Sequence, residues 1–174
     1  MSAPRKAALL ASTAIAALSF AGPALANCDI TGSPNTVICS TNTTTTDTTN
    51  TDGGSASSAD RFQLFTTGGN VTGLIGSGIA VDGAGLSLRT SEDGSTLTFT
   101  NSGTLNQNTT GSAGTSAGLG LQTTTGAITY NSANGATITT SNSYGLLLGT
   151  SNASATGDLT AHINGNIKTT GGTG

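Results

Sequence analysis

Tryptophan is absent, tyrosine occurs twice, and there is one histidine. Each scarcity excludes something. Propeller blades usually carry aromatic motifs, so the lack of tryptophan counts against that fold. One histidine and two cysteines exclude the common zinc constellations. Cations are few: Lys and Arg total 5, against 8 Asp and Glu. Proteins that grip nucleic acid neutralise phosphates with clustered cations, and scattered ones cannot do this, so no nucleic-acid partner is expected. An anionic membrane surface is excluded as an electrostatic partner on the same ground. No glycine run is followed by Lys and Ser/Thr in the phosphate-loop pattern, and the G-G-x-G-x-D calcium nonapeptide is missing. No cofactor or metal is expected.

The charged fraction is 7%, against about 25% in ordinary soluble domains. Thr, Ser, Asn and Gly take its place. Thr is β-branched and fits a pleated surface, whereas the charged residues that cover helix surfaces are scarce. The aliphatics recur at intervals after Phe62, and that recurrence separates this chain from a disordered one.

The amino terminus has the three parts of an export signal. Arg5 and Lys6 give a positive start, and Ala7 to Phe20 is an apolar run broken only by Ser12, Thr13 and Ser19. Gly22-Pro23 and Ala24-Leu25-Ala26 follow, an A-x-A cleavage pattern that predicts a cut between Ala26 and Asn27. The run is short of the roughly 20 residues that span a bilayer. An uncleaved amino-terminal anchor is the alternative. Residues 1–26 are therefore read as a signal peptide and the mature chain as exported. Only Arg61, Arg89 and Lys168 then remain as cations against the eight carboxylates, a formal charge of −5.

Cys28 and Cys39 stand near the new amino terminus. In an exported chain the default is a disulfide, closing a loop of about a dozen residues and contributing roughly 3 kcal/mol in the chain-entropy model. Free thiols or half of a metal site are the alternatives, and no nearby His or third Cys supports metal. Residues 27–61 combine this stapled cap with a Thr-rich stretch, Ser40 to Ala59, that has no aliphatic larger than Ala. It is expected to be a loop, a linker or a polar outer rung.

Residues 62–174 repeat. Leu97-Thr98-Phe99-Thr100, Ile128-Thr129-Tyr130-Asn131 and Leu159-Thr160-Ala161-His162 begin 31 residues apart. A second element is grouped as Gly78-Ile79-Ala80-Val81, Gly118-Leu119-Gly120-Leu121 and Gly145-Leu146-Leu147-Leu148. A third is Gly103-Thr104-Leu105, Gly135-Ala136-Thr137-Ile138 and Gly165-Asn166-Ile167. A period between 20 and 50 residues marks a solenoid, propeller or array. Three short strands per repeat, separated by Asp-Gly and Asn-Gly turns such as Asp82-Gly83, Asp93-Gly94, Asn134-Gly135 and Asn164-Gly165, predict a parallel coil of strands. In it, Leu97, Ile128 and Leu159 stack as a core ladder and Thr ladders line the outside. A propeller and a β-sandwich are the competing folds, and the regular spacing counts against the sandwich.

Gly114-Thr115-Ser116-Ala117-Gly118 matches the nucleophile elbow, with Asp158 and His162 following in hydrolase order. The elbow needs a strand-to-helix turn, and no helical period follows the signal. A chance match is expected in so Gly- and Ser-rich a chain. Adjacent Glu92-Asp93 are expected to be solvated turn residues rather than the spaced carboxylate pair of sugar cleavage.

The signal peptide and these Gly-aliphatic, aliphatic-Thr and Gly-x-Ile/Leu elements resemble the passenger region of bacterial autotransporters, over about residues 62–174. The resemblance implies an all-β, right-handed parallel β-helix, few and closely spaced cysteines, and a carboxy-terminal outer-membrane barrel that carries the passenger to the surface. Barrel strands, with about ten alternating residues each and aromatic girdles, are missing. The last residues, Gly171-Gly172-Thr173-Gly174, fall within a rung, so a truncated or longer reading frame is expected. The implied role is a non-catalytic, adhesin-like stalk at the cell surface or outer membrane, or secreted, and periplasmic if truncated. Its partners would be glycans or host and neighbouring cell surfaces. A β-helical polysaccharide enzyme and a Thr-ladder ice-binding solenoid are the alternatives.

Overall fold

The computed structural model describes residues 28–31, 35–45, 50–51, 62–66, 68–83, 85–107, 117–141 and 144–170. The proposed signal peptide, Arg61, Ser116 and residues 171–174 lie outside them. All regular structure among the described residues is β. The chain repeatedly visits three sheets in one order.

The first sheet takes β1 (Asp29–Thr31), β2 (Asn35–Cys39), β6 (Val71–Ile75), β9 (Leu97–Asn101), β12 (Ile128–Ser132) and β15 (Leu159–Ile163). The second takes β3 (Thr43–Thr45), β7 (Ala80–Gly83), β10 (Thr104–Gln107), β13 (Thr137–Ser141) and β16 (Asn166–Thr170). The third takes β4 (Asn50–Thr51), β5 (Phe62–Thr66), β8 (Leu86–Thr90), β11 (Ala117–Thr123) and β14 (Tyr144–Thr150). Every pairing is parallel except β1 with β2. Three parallel sheets filled one strand per pass fit a β-helix or β-solenoid. Because β2 and β3 sit in register with β6 and β7, the stacked strands begin well before Phe62. They include Thr43–Thr45, from the Thr-rich stretch.

Side chains alternate in and out, so each strand buries every second residue. Leu97, Phe99 and Asn101 are buried in β9, and Ile128, Tyr130 and Ser132 in β12. Register turns this alternation into columns. Val71, Leu97, Ile128 and Leu159 are successive Cα partners. So are Val81, Leu105, Ile138 and Ile167 in the second sheet. In the third, Leu86 and Leu88 face Leu119 and Leu121, which face Leu146 and Leu148.

A neighbouring column in the first sheet runs Val37, Gly73, Phe99, Tyr130 and Ala161. Phe99 and Tyr130 stack with ring centroids 6.4 Å apart and planes 18° apart. The Phe99 ring leans over Gly73, where a Cβ would lie 2.2 Å from Cδ2. Only glycine leaves room for it.

One grouping made from sequence is corrected. Gly78-Ile79-Ala80-Val81 is not a copy of Gly118–Leu121. Val81 pairs with Leu105 in the second sheet, and Leu86 and Leu88 are the partners of Leu119 and Leu121. The Gly-aliphatic pattern is shared by two different strand positions, and only backbone pairing tells them apart.

The corners between the first and second sheets alternate. Residues 76–79 and 133–136 make long corners, and 102–103 and 164–165 make short ones. Each long corner closes on itself, Ile79 N–H donating to Gly76 O and Ala136 N–H to Ala133 O at 3.2 Å. Each short corner rests on the long one before it. Thr104 N–H donates to Ile79 O at 2.8 Å and Asn166 N–H to Ala136 O at 2.9 Å. The long corner 133–136 in turn rests on the short one before it, Thr137 N–H donating to Gly103 O at 2.9 Å, so the links run on from rung to rung.

Candidate functional site

The last inward position of many strands is polar, because there the backbone leaves the sheet and must be satisfied otherwise. Buried Asn101 accepts from Gly103 N–H through Oδ1 at 3.1 Å and donates from Nδ2 to Thr137 O at 3.3 Å. Ser132, the next residue in that column, accepts from Asn164 and Gly165 N–H, both at 3.0 Å. Asn101 and Ser132 also hydrogen-bond Tyr130, whose phenol is pushed up from its ordinary pKa mainly by burial. Thr123 Oγ1 donates to Gly126 O at 2.7 Å, and Thr90 Oγ1 to Gly69 O at 3.1 Å. These buried groups hold corners; they are not aimed at a cavity.

Three of the described carboxylates accept hydrogen bonds as well. Glu92 accepts from Gly69 N–H and from Ser95 Oγ, and both bonds hold its pKa below the ordinary carboxylate range. Thr125 Oγ1 accepts from Gly94 N–H at 2.8 Å and donates to Asp93 at 3.4 Å. Asp82 accepts from Asn106 Nδ2 one rung away at 2.8 Å. Glu92 and Asp93 thus stitch one rung to its neighbours.

Asp158 and His162, candidates from the hydrolase-order motif, are both exposed. His162 points outward in β15, in register with Asn131. The backbone carbonyl of Asp158 accepts from Ile128 N–H at 2.8 Å, a rung-to-rung link. Ser116, the third member of the trio, lies outside the described residues. Among the described residues no group of three His, Cys, Asp or Glu side chains could hold a metal ion.

The two cysteines are joined. Cys28 and Cys39 form a disulfide with Cα atoms 4.1 Å apart, and both are buried. The bridge ties the start of β1 to the end of β2 and fixes β1 across the outer edge of the first sheet. Leu97 and Ile128 are fully buried, while Leu159, in register beyond them, is 49% exposed.

Two outer surfaces stand out, the first a threonine ladder of the kind expected from sequence. On the outer face of the first sheet, Thr36, Thr72, Thr98, Thr129 and Thr160 form one unbroken column. Its hydroxyls repeat at the strand spacing of about 4.8 Å. The next column is mixed: Ile38, Leu74, Thr100, Asn131 and His162. On the third sheet, Gly120 leaves a shallow depression lined by Ser87, Leu121, Gln122, Leu147 and Gly149. The aliphatic-Thr pairs at 97–98, 128–129 and 159–160 signalled the threonine column; Thr36 and Thr72 fall off the 31-residue spacing and were missed. Comparison with protein-family models, curated proteins and solved structures finds no match to this chain in any of the three.

Proposed function

We propose that this chain is a non-catalytic passenger of the autotransporter type, a right-handed parallel β-helix serving as a stalk at the cell surface or in the medium. The observation that carries the reading is the set of in-register apolar columns running through three parallel sheets. Such stacking builds length and rigidity from short rungs without needing a site. Parallel crossovers are right-handed in nearly all proteins, which supports the hand. The export signal at 1–26 and the disulfide agree with a compartment outside the cytoplasm. Three of the described carboxylates, Asp82, Glu92 and Asp93, accept hydrogen bonds that tie corners and neighbouring strands. Glycans or neighbouring cell surfaces are the partners, met along the hydroxyl-rich outer faces, and an outer-membrane barrel is the translocating partner.

The test is export. The full chain is produced in a Gram-negative host and the recovered protein is sized by intact mass. A product beginning at Asn27 outside the cytoplasm, elongated by small-angle scattering, is the expected result. An unprocessed cytoplasmic chain would overturn the reading.

The threonine column favours a second reading, an ice-binding solenoid. Its flat face would need a second threonine rank, and Ile38, Leu74, Asn131 and His162 occupy that place. No thermal hysteresis is therefore expected, and a measurable freezing gap would replace the stalk reading with this one.

A further inference from the structure

The chain holds two Asn-Gly steps, Asn134-Gly135 and Asn164-Gly165. Both lie at corners between the first and second sheets, one in the long corner 133–136 and one in the short corner 164–165. They are alike in sequence and unlike in surroundings. Gly165 N–H donates to Ser132 Oγ at 3.0 Å, and Asn164 N–H does the same. A Cβ on Gly165 would lie 2.2 Å from Ala136 O, so the backbone there is pressed onto the rung before it. Asn134 and Gly135 are both exposed, and a Cβ on Gly135 would meet nothing within 4 Å. No described residue accepts from Gly135 N–H. The turn that carries them is closed by Ala136 N–H donating to Ala133 O at 3.2 Å.

We propose that Asn134-Gly135 is a site of spontaneous covalent modification in the folded chain, deamidation to aspartate and isoaspartate, and that the fold protects Asn164-Gly165 from it. The nucleophile is the Gly135 backbone nitrogen. It attacks Cγ of Asn134 and a carbon–nitrogen bond forms. The proton of that N–H leaves with Nδ2 as ammonia, and a cyclic imide remains. Water then opens the imide on either side. Cleavage at Cγ gives aspartate. Cleavage at the main-chain carbonyl carbon of Asn134 gives isoaspartate, in which the chain runs through Cγ. The reactants are the chain and water alone. Glycine leaves the attacking nitrogen uncrowded, because it has no side chain. The nitrogen must also be free to turn onto Cγ, which local opening of an exposed corner allows. Ser132 denies that freedom to Gly165. Isoaspartate would add a methylene to the main chain of the long corner and a negative charge at its tip. The next rung rests on that corner through Asn166 N–H and Ala136 O at 2.9 Å, so β16 would loosen first. The inference goes beyond the stalk reading and does not rest on it.

The full chain is aged in neutral buffer, and each asparagine is followed by peptide mapping with mass spectrometry, aspartate and isoaspartate being separated by chromatography. In the folded protein Asn134 should convert faster than Asn164 by roughly tenfold or more, the effect of having to break hydrogen bonds before the Gly165 nitrogen can react. In denaturant the two rates should draw close. Ser132→Ala removes the acceptor and should raise the Asn164 rate severalfold while leaving that of Asn134 unchanged. The wild-type comparison stands even if this variant does not fold. Equal rates in the folded chain, or a faster Asn164, would overturn the proposal. So would an Asn134 that stays intact in the folded chain while the denatured chain converts it, or an Asn164 rate that a folded Ser132→Ala leaves unchanged.

Discussion

The central rungs, residues 97–141, and the last described one, residues 159–170, are built from the same elements but hold their side chains under different conditions. Ile128 and Leu159 occupy one column with the same backbone pairing, yet one is sealed and the other half open. Neither residue's own sequence context explains this. A rung's core is made by the rungs on both sides, so burial belongs to the stack rather than to the repeat. The comparison breaks most directly by truncating one member of each kind. Leu97→Ala removes a side chain covered above and below and should cost about 2–5 kcal/mol. Leu159→Ala loses packing on one side only and should cost roughly half as much or less, since the exposed part of the side chain was never transferred from water. Denaturant midpoints for the two variants check it; equal losses would mean that exposure in the column is not the controlling variable.

The closed end provides the next contrast. If β1 is held mainly by the bridge, removing Cys28 and Cys39 together as serines should cost about 3 kcal/mol. Hydrogen exchange localises the effect: amides of β2 should lose protection first, and those of β12 should keep theirs. Uniform loss across the sheets would show that the cap stabilises the whole stack cooperatively.

A smaller effect is expected inside the aromatic column. Gly73→Ala places a methyl where the Phe99 ring lies. The ring must rotate or the rung must shift, and overpacking of this kind costs about 1–3 kcal/mol. The double variant Gly73→Ala with Phe99→Leu should recover part of that loss if the ring is the obstacle. Absence of any coupling in the double-mutant cycle would place the strain elsewhere.

What was legible in the sequence follows from the same physics. Leu97, Ile128 and Leu159 could be aligned because the two turns between them have equal length, so the column shows as a fixed spacing. The step from Val71 to Leu97 is 26 residues, because the stretch between its second-sheet and third-sheet strands, residues 84–85, is shorter than residues 108–116 of the next turn, and a fixed period passes over it. The Gly-aliphatic element misled because glycine plus aliphatics suits any inward strand next to a corner. Val81 and Leu86 both satisfy it while belonging to different sheets. The disulfide was legible from the cysteine count and the export expected of a chain that begins like a signal peptide. The threonine column was only half legible, since an outward residue leaves no hydrophobic signal. Corner polar residues such as Asn101 and Ser132 were invisible, because their role is set by backbone groups of another rung.

The smallest expected effect tests whether those corner contacts matter at all. Glu92 accepts from Gly69 N–H first and from Ser95 Oγ second, and both favour the charged form, so its pKa is lowered in the folded state. A depressed carboxylate stabilises the fold above its unfolded pKa, near 4.5, and that contribution disappears as pH falls through the lower folded value. Protonation removes the acceptor from the Gly69 amide and loosens the corner between the third and first sheets. Glu92→Gln should therefore be slightly less stable than wild type at pH 7, and the two should converge at acid pH. The side chain is fully exposed and screened, so the difference should be small beside the core variants. Thermal melts of both proteins at pH 7 and pH 3 check this. A gap that persists unchanged at pH 3 would assign the effect to amide packing, and the Gly69–Glu92 contact would then carry none of the corner's stability.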